Sequence, residues 1–148
     1  MNLSPHFTLA ELTRTSSGVA NVPNAAETKA LEALCSSLLE PVRSKFGPVS
    51  IHSGYRSKAV NEAIGGSKTS QHMKGEAADF HCAAAKLEDV MRWIVTESGL
   101  KYGQVILEGH TKGKPTWIHL SLGAPYRLGS SCMQALTFDG KAYAPYKP

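Results

Sequence analysis

The chain has 148 residues, 42% of them hydrophobic, which is the size of one domain with a core of its own. Its formal net charge of +4 is mild, and no run of lysine or arginine favours a nucleic-acid partner. The 3 cysteines form no CxxC pair, which argues against a disulfide framework. No stretch approaches the roughly 20 apolar residues of a membrane span. We therefore predict one monomeric domain over residues 1–148, without nucleic acid and without membrane insertion.

Two capping boxes predict the first helices. Thr8 followed by Glu11 is typical of the start of a short helix, and Asn24 followed by Glu27 begins a second one. Apolar residues then recur at helical spacing, which predicts the main core helix. We expect Pro41 to kink or interrupt this helix, because proline removes a backbone donor and clashes with the preceding turn.

Strands and helices alternate in the middle of the chain. Residues 49–53 alternate apolar and polar as a half-buried strand does, and they lead into the polar motif SGYRS. A short helix is predicted over 57–64, a strand over 75–82 and a second core helix over 86–98.

The last third of the chain predicts two hairpins. Strands over 104–107 and 116–122 are joined by the polar loop EGHTKGKP. A C-terminal hairpin is predicted over 131–146, because the pair Asp139-Gly140 favours a tight turn.

The stretch SQHMKGEAAD, residues 70–79, places a histidine and a carboxylate seven residues apart. Neutral imidazole and carboxylate are donors that suit zinc. Gly75 and the alanines after it indicate that the chain turns after His72 and enters a buried strand carrying Asp79, so that both side chains could converge. A surface loop followed by a core strand would give the same pattern. Catalytic zinc also needs a third protein ligand, and His119 in the motif TWIHLS is the best candidate.

The motifs SGYRS, SQHMKGEAAD and TWIHLS, in this order, resemble zinc peptidases that include D-Ala-D-Ala carboxypeptidases and phage L-Ala-D-Glu endopeptidases. The resemblance covers residues 6–122 and is greatest to the compact phage-borne branch. It implies an α+β fold in which a small antiparallel sheet carries the zinc site and helices pack against it. It also implies that His72, Asp79 and His119 bind one zinc ion and leave the fourth position for water.

The resemblance assigns roles to other residues as well. Arg56 matches the arginine that holds substrate near the metal, and a planar guanidinium can grip a carboxylate or stabilise an oxyanion. Ser70 is expected to hydrogen-bond substrate or a neighbour of the metal. The best-known members carry an acidic residue three places before the third ligand, where this chain has Thr116. Because threonine cannot serve as a general base, we predict that Glu108 does so, with His110 as the alternative.

The predicted function is zinc-dependent hydrolysis of a peptide bond in the stem peptide of bacterial peptidoglycan. The enzyme would be a D-Ala-D-Ala carboxypeptidase or an L-Ala-D-Glu endopeptidase. The N-terminus lacks the features of a signal peptide. We therefore expect synthesis in the cytoplasm and action at the cell wall, after phage lysis or as part of a virion. The alternative is a catalytically inactive zinc-containing module that binds cell-wall peptide or a partner protein, which Thr116 leaves open.

Overall fold

The computed structural model describes residues 1–109, 115–126 and 132–148. Its helices are α1 (Leu9–Thr13), α2 (Ala25–Leu34), α3 (Glu40–Phe46), α4 (Lys58–Ala63) and α5 (Leu87–Thr96). Its strands are β1 (Asn2–Ser4), β2 (Phe7–Thr8), β3 (Val49–Ser53), β4 (Ala77–Cys82), β5 (Tyr102–Glu108), β6 (Trp117–Leu122), β7 (Gln134–Phe138) and β8 (Tyr143–Pro145). The predicted α+β class is confirmed. Among these residues, no helix has both the length and the apolar character needed to cross a membrane.

Six of the strands form one mixed sheet in the order β3-β4-β6-β5-β7-β8. Neighbouring strands are antiparallel except β5 and β7, which run parallel. The prediction of a small antiparallel sheet is therefore wrong in size and in strand direction. It failed because the Asp139-Gly140 turn specifies only that β7 pairs with β8. Which sheet edge this hairpin joins depends on long-range packing. Residue 131, the first of the predicted hairpin, lies outside the described ranges.

Both predicted capping boxes are present. Thr8 Oγ1 accepts a hydrogen bond from the Glu11 backbone at 3.2 Å, and the Glu11 carboxylate accepts one from the Thr8 backbone at 3.2 Å. Asn24 and Glu27 exchange the equivalent pair of bonds, each 2.8 Å long. These bonds satisfy amide groups that have no partner within a helix, and they position the starts of α1 and α2.

The predicted interruption near Pro41 is a π-helical turn, Cys35–Leu39, between α2 and α3. The wider turn is followed directly by α3, and it places Pro41 in the first turn of that helix. A missing backbone N–H costs least in the first turn, so the main core helix continues past the proline in a new register.

One face of the sheet and the helices enclose the hydrophobic core. The largest side chains with almost no exposed area are Phe7, Leu12, Leu31, Leu34, Leu38, Leu39, Val42, Phe80, Met91, Ile94, Ile118 and Leu120. Burial of one such side chain stabilises the fold by about 1.5–3 kcal/mol. Side chains alternate along a strand, and Phe80 of β4 and Ile118 of β6 point into this core. The adjacent residues Asp79 and His119 therefore lie on the opposite face of the sheet.

Gly75 makes the turn that leads into β4. Its φ is +73°, and a Cβ there would lie 2.4 Å from the carbonyl oxygen of Glu27 in α2. We expect Gly75→Ala to lower the free energy of unfolding by about 2–4 kcal/mol, because it combines a left-handed backbone with a clash against backbone. Urea unfolding measures this loss. Gly65→Ala is the matched control, since its φ is +71° but a Cβ there would meet nothing within 4 Å. Equal losses in the two variants would contradict the clash with α2.

Candidate active site and metal centre

Three side chains that can bind a metal ion converge on the sheet face opposite the core. His72 lies on a short 3₁₀ turn, Gln71–Lys74, before β4, while Asp79 lies on β4 and His119 on β6. Asp79 and His119 are direct partners across the β4–β6 ladder. The three residues are only 3%, 6% and 9% exposed, respectively. Their ligand atoms all lie within 4.8 Å of one another.

Backbone groups fix the orientation of His72. Its Nδ1 donates a 2.7 Å hydrogen bond to the carbonyl oxygen of Gly54, so Nε2 is the atom directed at Asp79. The Ser70 hydroxyl oxygen accepts a hydrogen bond from the His72 backbone at 3.2 Å, and the Arg56 backbone donates to the His72 carbonyl at 3.0 Å. A ligand histidine whose second ring nitrogen is held in this way keeps one tautomer and one ring orientation.

The separations of the ligand atoms fit one zinc ion. Asp79 Oδ1 lies 3.3 Å from His72 Nε2 and 2.9 Å from His119 Nδ1. A tetrahedral site with bonds of about 2.0–2.2 Å has ligand atoms about 3.3–3.6 Å apart, which is close to both of these separations. Two imidazoles and one carboxylate leave one tetrahedral position for water or substrate, as in catalytic rather than structural zinc sites.

The charges around the site favour an ionised Asp79. Burial alone would raise the pKa of this carboxyl, but His72 and His119 outweigh burial and hold the pKa well below its usual range. A deprotonated carboxylate is the form that binds a metal. Arg56 Nη2 lies 3.7 Å from Asp79 Oδ2. Burial lowers the pKa of the Arg56 guanidinium, while the carboxylates of Asp79 and Glu108 act in the opposite direction.

All the predicted site residues that the structure describes line one cavity of about 370 Å³, called here the metal cavity. They are Arg56, Ser70, His72, Asp79, Glu108 and His119. Arg56 is held at its wall by two further hydrogen bonds, to the Ser53 hydroxyl at 3.1 Å and to the Asn61 side-chain oxygen at 3.3 Å. The cavity therefore combines a metal-binding set, a cation and a carboxylate.

Glu108 lies at the end of β5, opposite Trp117 of β6. The indole Nε1 of Trp117 donates to Glu108 Oε2 at 3.2 Å, and both residues line the metal cavity. The Thr116 backbone donates to the Glu108 carbonyl at 2.6 Å. Glu108, the predicted base, is thus a neighbour of Thr116, the position at which the best-known family members carry the acidic residue. The alternative base, His110, lies outside the described residues.

Four features of the cavity were missed by the sequence analysis. They are the Gly54 carbonyl that orients His72, the Asn61 amide that holds Arg56, Gln104 on β5 and Tyr143 on β8. Gln104 shares a strand face with Glu108, so strand alternation could have indicated it. Tyr143 reaches the cavity only through the parallel pairing of β7 with β5, and no local pattern in the sequence indicates this pairing.

Two imidazoles and one carboxylate around an open position define the class of site, which is a candidate catalytic zinc centre. A family model described as Peptidase M15 matches residues 5–121. The chain therefore belongs to the Peptidase M15 family, and the family predicted from the sequence motifs is confirmed. The zinc D-Ala-D-Ala carboxypeptidase of Streptomyces albus G is 36% identical over 78 residues, which are 51% of this chain and 31% of that relative. The match thus spans about a third of the length of this curated relative.

Proposed function

We propose that this chain hydrolyses a peptide bond in the stem peptide of bacterial peptidoglycan, and that zinc is required. The observation that carries the proposal is the joint presence of His72, Asp79, His119, Arg56 and Glu108 in the metal cavity. The Streptomyces relative, named as a zinc D-Ala-D-Ala carboxypeptidase, supports the choice of substrate.

Each group would have a separate role in hydrolysis. Zinc held by the three ligands supplies Lewis acidity and a water of lowered pKa. Glu108 would accept the proton of the attacking water and return it to the leaving amine. Arg56 would hold a substrate carboxylate or the oxyanion that develops in the transition state. The Ser70 hydroxyl, which lines the same cavity, would hydrogen-bond the substrate peptide.

We expect Arg56→Lys to lower kcat/KM by about 10²-fold, a loss typical of removing one well-placed donor to a developing charge. Lysine keeps the charge but lacks the planar fork that contacts Ser53, Asn61 and Asp79 together. Steady-state kinetics with stem peptides measure the loss. Arg92→Lys is the control, because its side chain is exposed on α5 and should leave the rate unchanged. Wild-type kinetics in Arg56→Lys would remove the guanidinium from the mechanism.

Digestion of purified sacculi with the zinc-loaded protein, followed by mass spectrometry of the products, tests the proposed function. Loss of terminal D-Ala would identify a carboxypeptidase, and stem fragments cut between L-Ala and D-Glu would identify an endopeptidase. Zinc binding with intact sacculi would instead support the inactive binding module.

We further propose that residues 1–148 act as one monomeric domain at the cell wall, reached after phage lysis or as part of a virion.

A further inference from the structure

The C-terminal hairpin of β7 and β8 contributes to the metal cavity. Tyr143 of β8 lines the cavity together with Arg56, Asp79 and Glu108. The hairpin follows the part of the chain that the family model matches, residues 5–121. The hairpin therefore lies outside the matched range, and its Tyr143 still reaches the metal cavity.

The ring of Tyr143 is held in place by its neighbour on β7. Phe138 and Tyr143 are partners in the β7–β8 ladder, and their rings stack with centroids 4.4 Å apart and planes 23° apart. Burial raises the pKa of the Tyr143 phenol, as do the charges of Glu108 and Asp79. At neutral pH the hydroxyl is therefore a hydrogen-bond donor beside the metal-binding set. Tyr143 is nevertheless 59% exposed, so a substrate can touch it.

A second cavity begins on the other side of Tyr143. Its described lining includes the apolar residues Leu107, Pro115, Phe138, Ala142 and Ala144. Asp139 also lines it, and Glu108 stands at the near end in the metal cavity. These carboxylates disfavour an anionic group. The cavity of about 230 Å³ with this apolar lining fits an uncharged side chain.

The two cavities follow one line across the strands. Arg56 follows β3, Asp79 and His119 lie on β4 and β6, Glu108 lies on β5, and Tyr143 lies on the edge strand β8. Neighbouring strands are about 4.8 Å apart, so the backbones of β6 and β8 are separated by about 14 Å, and the Tyr143 side chain extends from β8 into the metal cavity. A peptide bound at the metal-binding set can therefore contact Tyr143 and continue past it into the second cavity.

We propose that Tyr143 is a substrate-positioning residue that contacts the peptide on the side of the metal opposite Arg56. The second cavity then receives an uncharged side chain, and the anionic groups of the substrate lie towards Arg56. This inference rests on the proposed function for its choice of substrate.

The kinetic test compares Tyr143→Ala with Tyr143→Phe on stem peptides and on a dipeptide, which has fewer residues on the side of the metal opposite Arg56. We expect Tyr143→Ala to raise KM for stem peptides about tenfold with kcat changed less than twofold, and Tyr143→Phe to show a smaller rise. The rise in KM for the dipeptide should be smaller than the rise for stem peptides. Tyr126→Ala is the matched control, because Tyr126 is 41% exposed and does not line either cavity. Equal kinetics in Tyr143→Ala and Tyr126→Ala would overturn the inference.

A binding measurement separates this inference from the proposed function. The 5 tyrosines are replaced by 3-fluorotyrosine, and the Tyr143 signal is identified from Tyr143→Phe by ¹⁹F NMR. Addition of stem peptide should shift the Tyr143 signal and leave that of Tyr126 in place. If the wild type leaves stem peptides and sacculi intact, the proposed function fails, while a shifted Tyr143 signal still supports the inference. An unmoved Tyr143 signal overturns the inference whether or not hydrolysis occurs.

Discussion

Zinc affinity is expected to fall by about 10²–10³-fold in Asp79→Asn. Asp79 Oδ1 lies 3.3 Å from His72 Nε2 and 2.9 Å from His119 Nδ1, so it occupies the centre of the ligand set. Asparagine keeps the size but replaces an anionic oxygen with a neutral one. Structural zinc sites of four ligands contribute about 10–16 kcal/mol, or about 2.5–4 kcal/mol per ligand, which corresponds to the expected change. Competition against a chromophoric chelator at neutral pH measures the affinity.

Asp89→Asn is the control for the loss of one negative charge. Asp89 lies on α5, where it pairs with Arg92 at 3.2 Å on the protein surface. Its substitution should leave zinc affinity within about twofold of the wild type, since such an exposed pair contributes little. Wild-type zinc affinity in Asp79→Asn would place the metal elsewhere in the protein.

Hydrolysis is expected to fall by about 10²–10⁴-fold in Glu108→Gln, while zinc affinity stays close to that of the wild type. This is the range that a positioned general base contributes. Glutamine keeps the acceptor that contacts Trp117 Nε1 but cannot take a proton at neutral pH. Because Glu108 is not one of the three converging ligands, its loss should separate the rate from metal binding. Single-turnover rates on stem peptides and zinc titrations of the same preparation give both quantities.

The competing variant is His110→Gln, since His110 is the other candidate for the base. A large loss of rate in Glu108→Gln together with a small one in His110→Gln supports Glu108. The reverse pattern would transfer the role to His110.

A second comparison adds Thr116→Glu to the Glu108→Gln protein. Position 116 is bonded to Glu108 through the backbone, so an acid there could restore part of the rate.

The metal-binding set was predictable because His72 and Asp79 stand in one motif and the family resemblance implied the full set with His119. The period of two along β4 and β6 indicates which residues share a face, and Gly75 indicates the turn after His72. The capping boxes at Thr8 and Asn24 are equally local, and the structure contains both. The structure brings His72, Asp79 and His119 to one point, as the sequence analysis expected.

The remaining features depend on contacts between distant segments. The parallel pairing of β7 with β5, and with it the place of Tyr143 in the metal cavity, follows from packing rather than from any repeat in the sequence. The Gly54 carbonyl is another example, because a backbone acceptor can come from any residue type. Sequence reasoning therefore identified the groups of the metal site more completely than the groups that orient them or shape the substrate path.

Because Asp79 and His119 are direct partners across β4 and β6, the metal site depends on the register of these two strands. A shift of one residue in β6 would turn His119 into the core and bring Ile118 or Leu120 to the cavity face. An insertion of one residue in β6 would cause this shift. It would remove a ligand and bury an imidazole, although every ligand residue would still be present in the sequence. In homologues, changes of length are therefore expected outside β4 and β6. A variant with an odd number of residues inserted in either strand should lose both metal binding and stability.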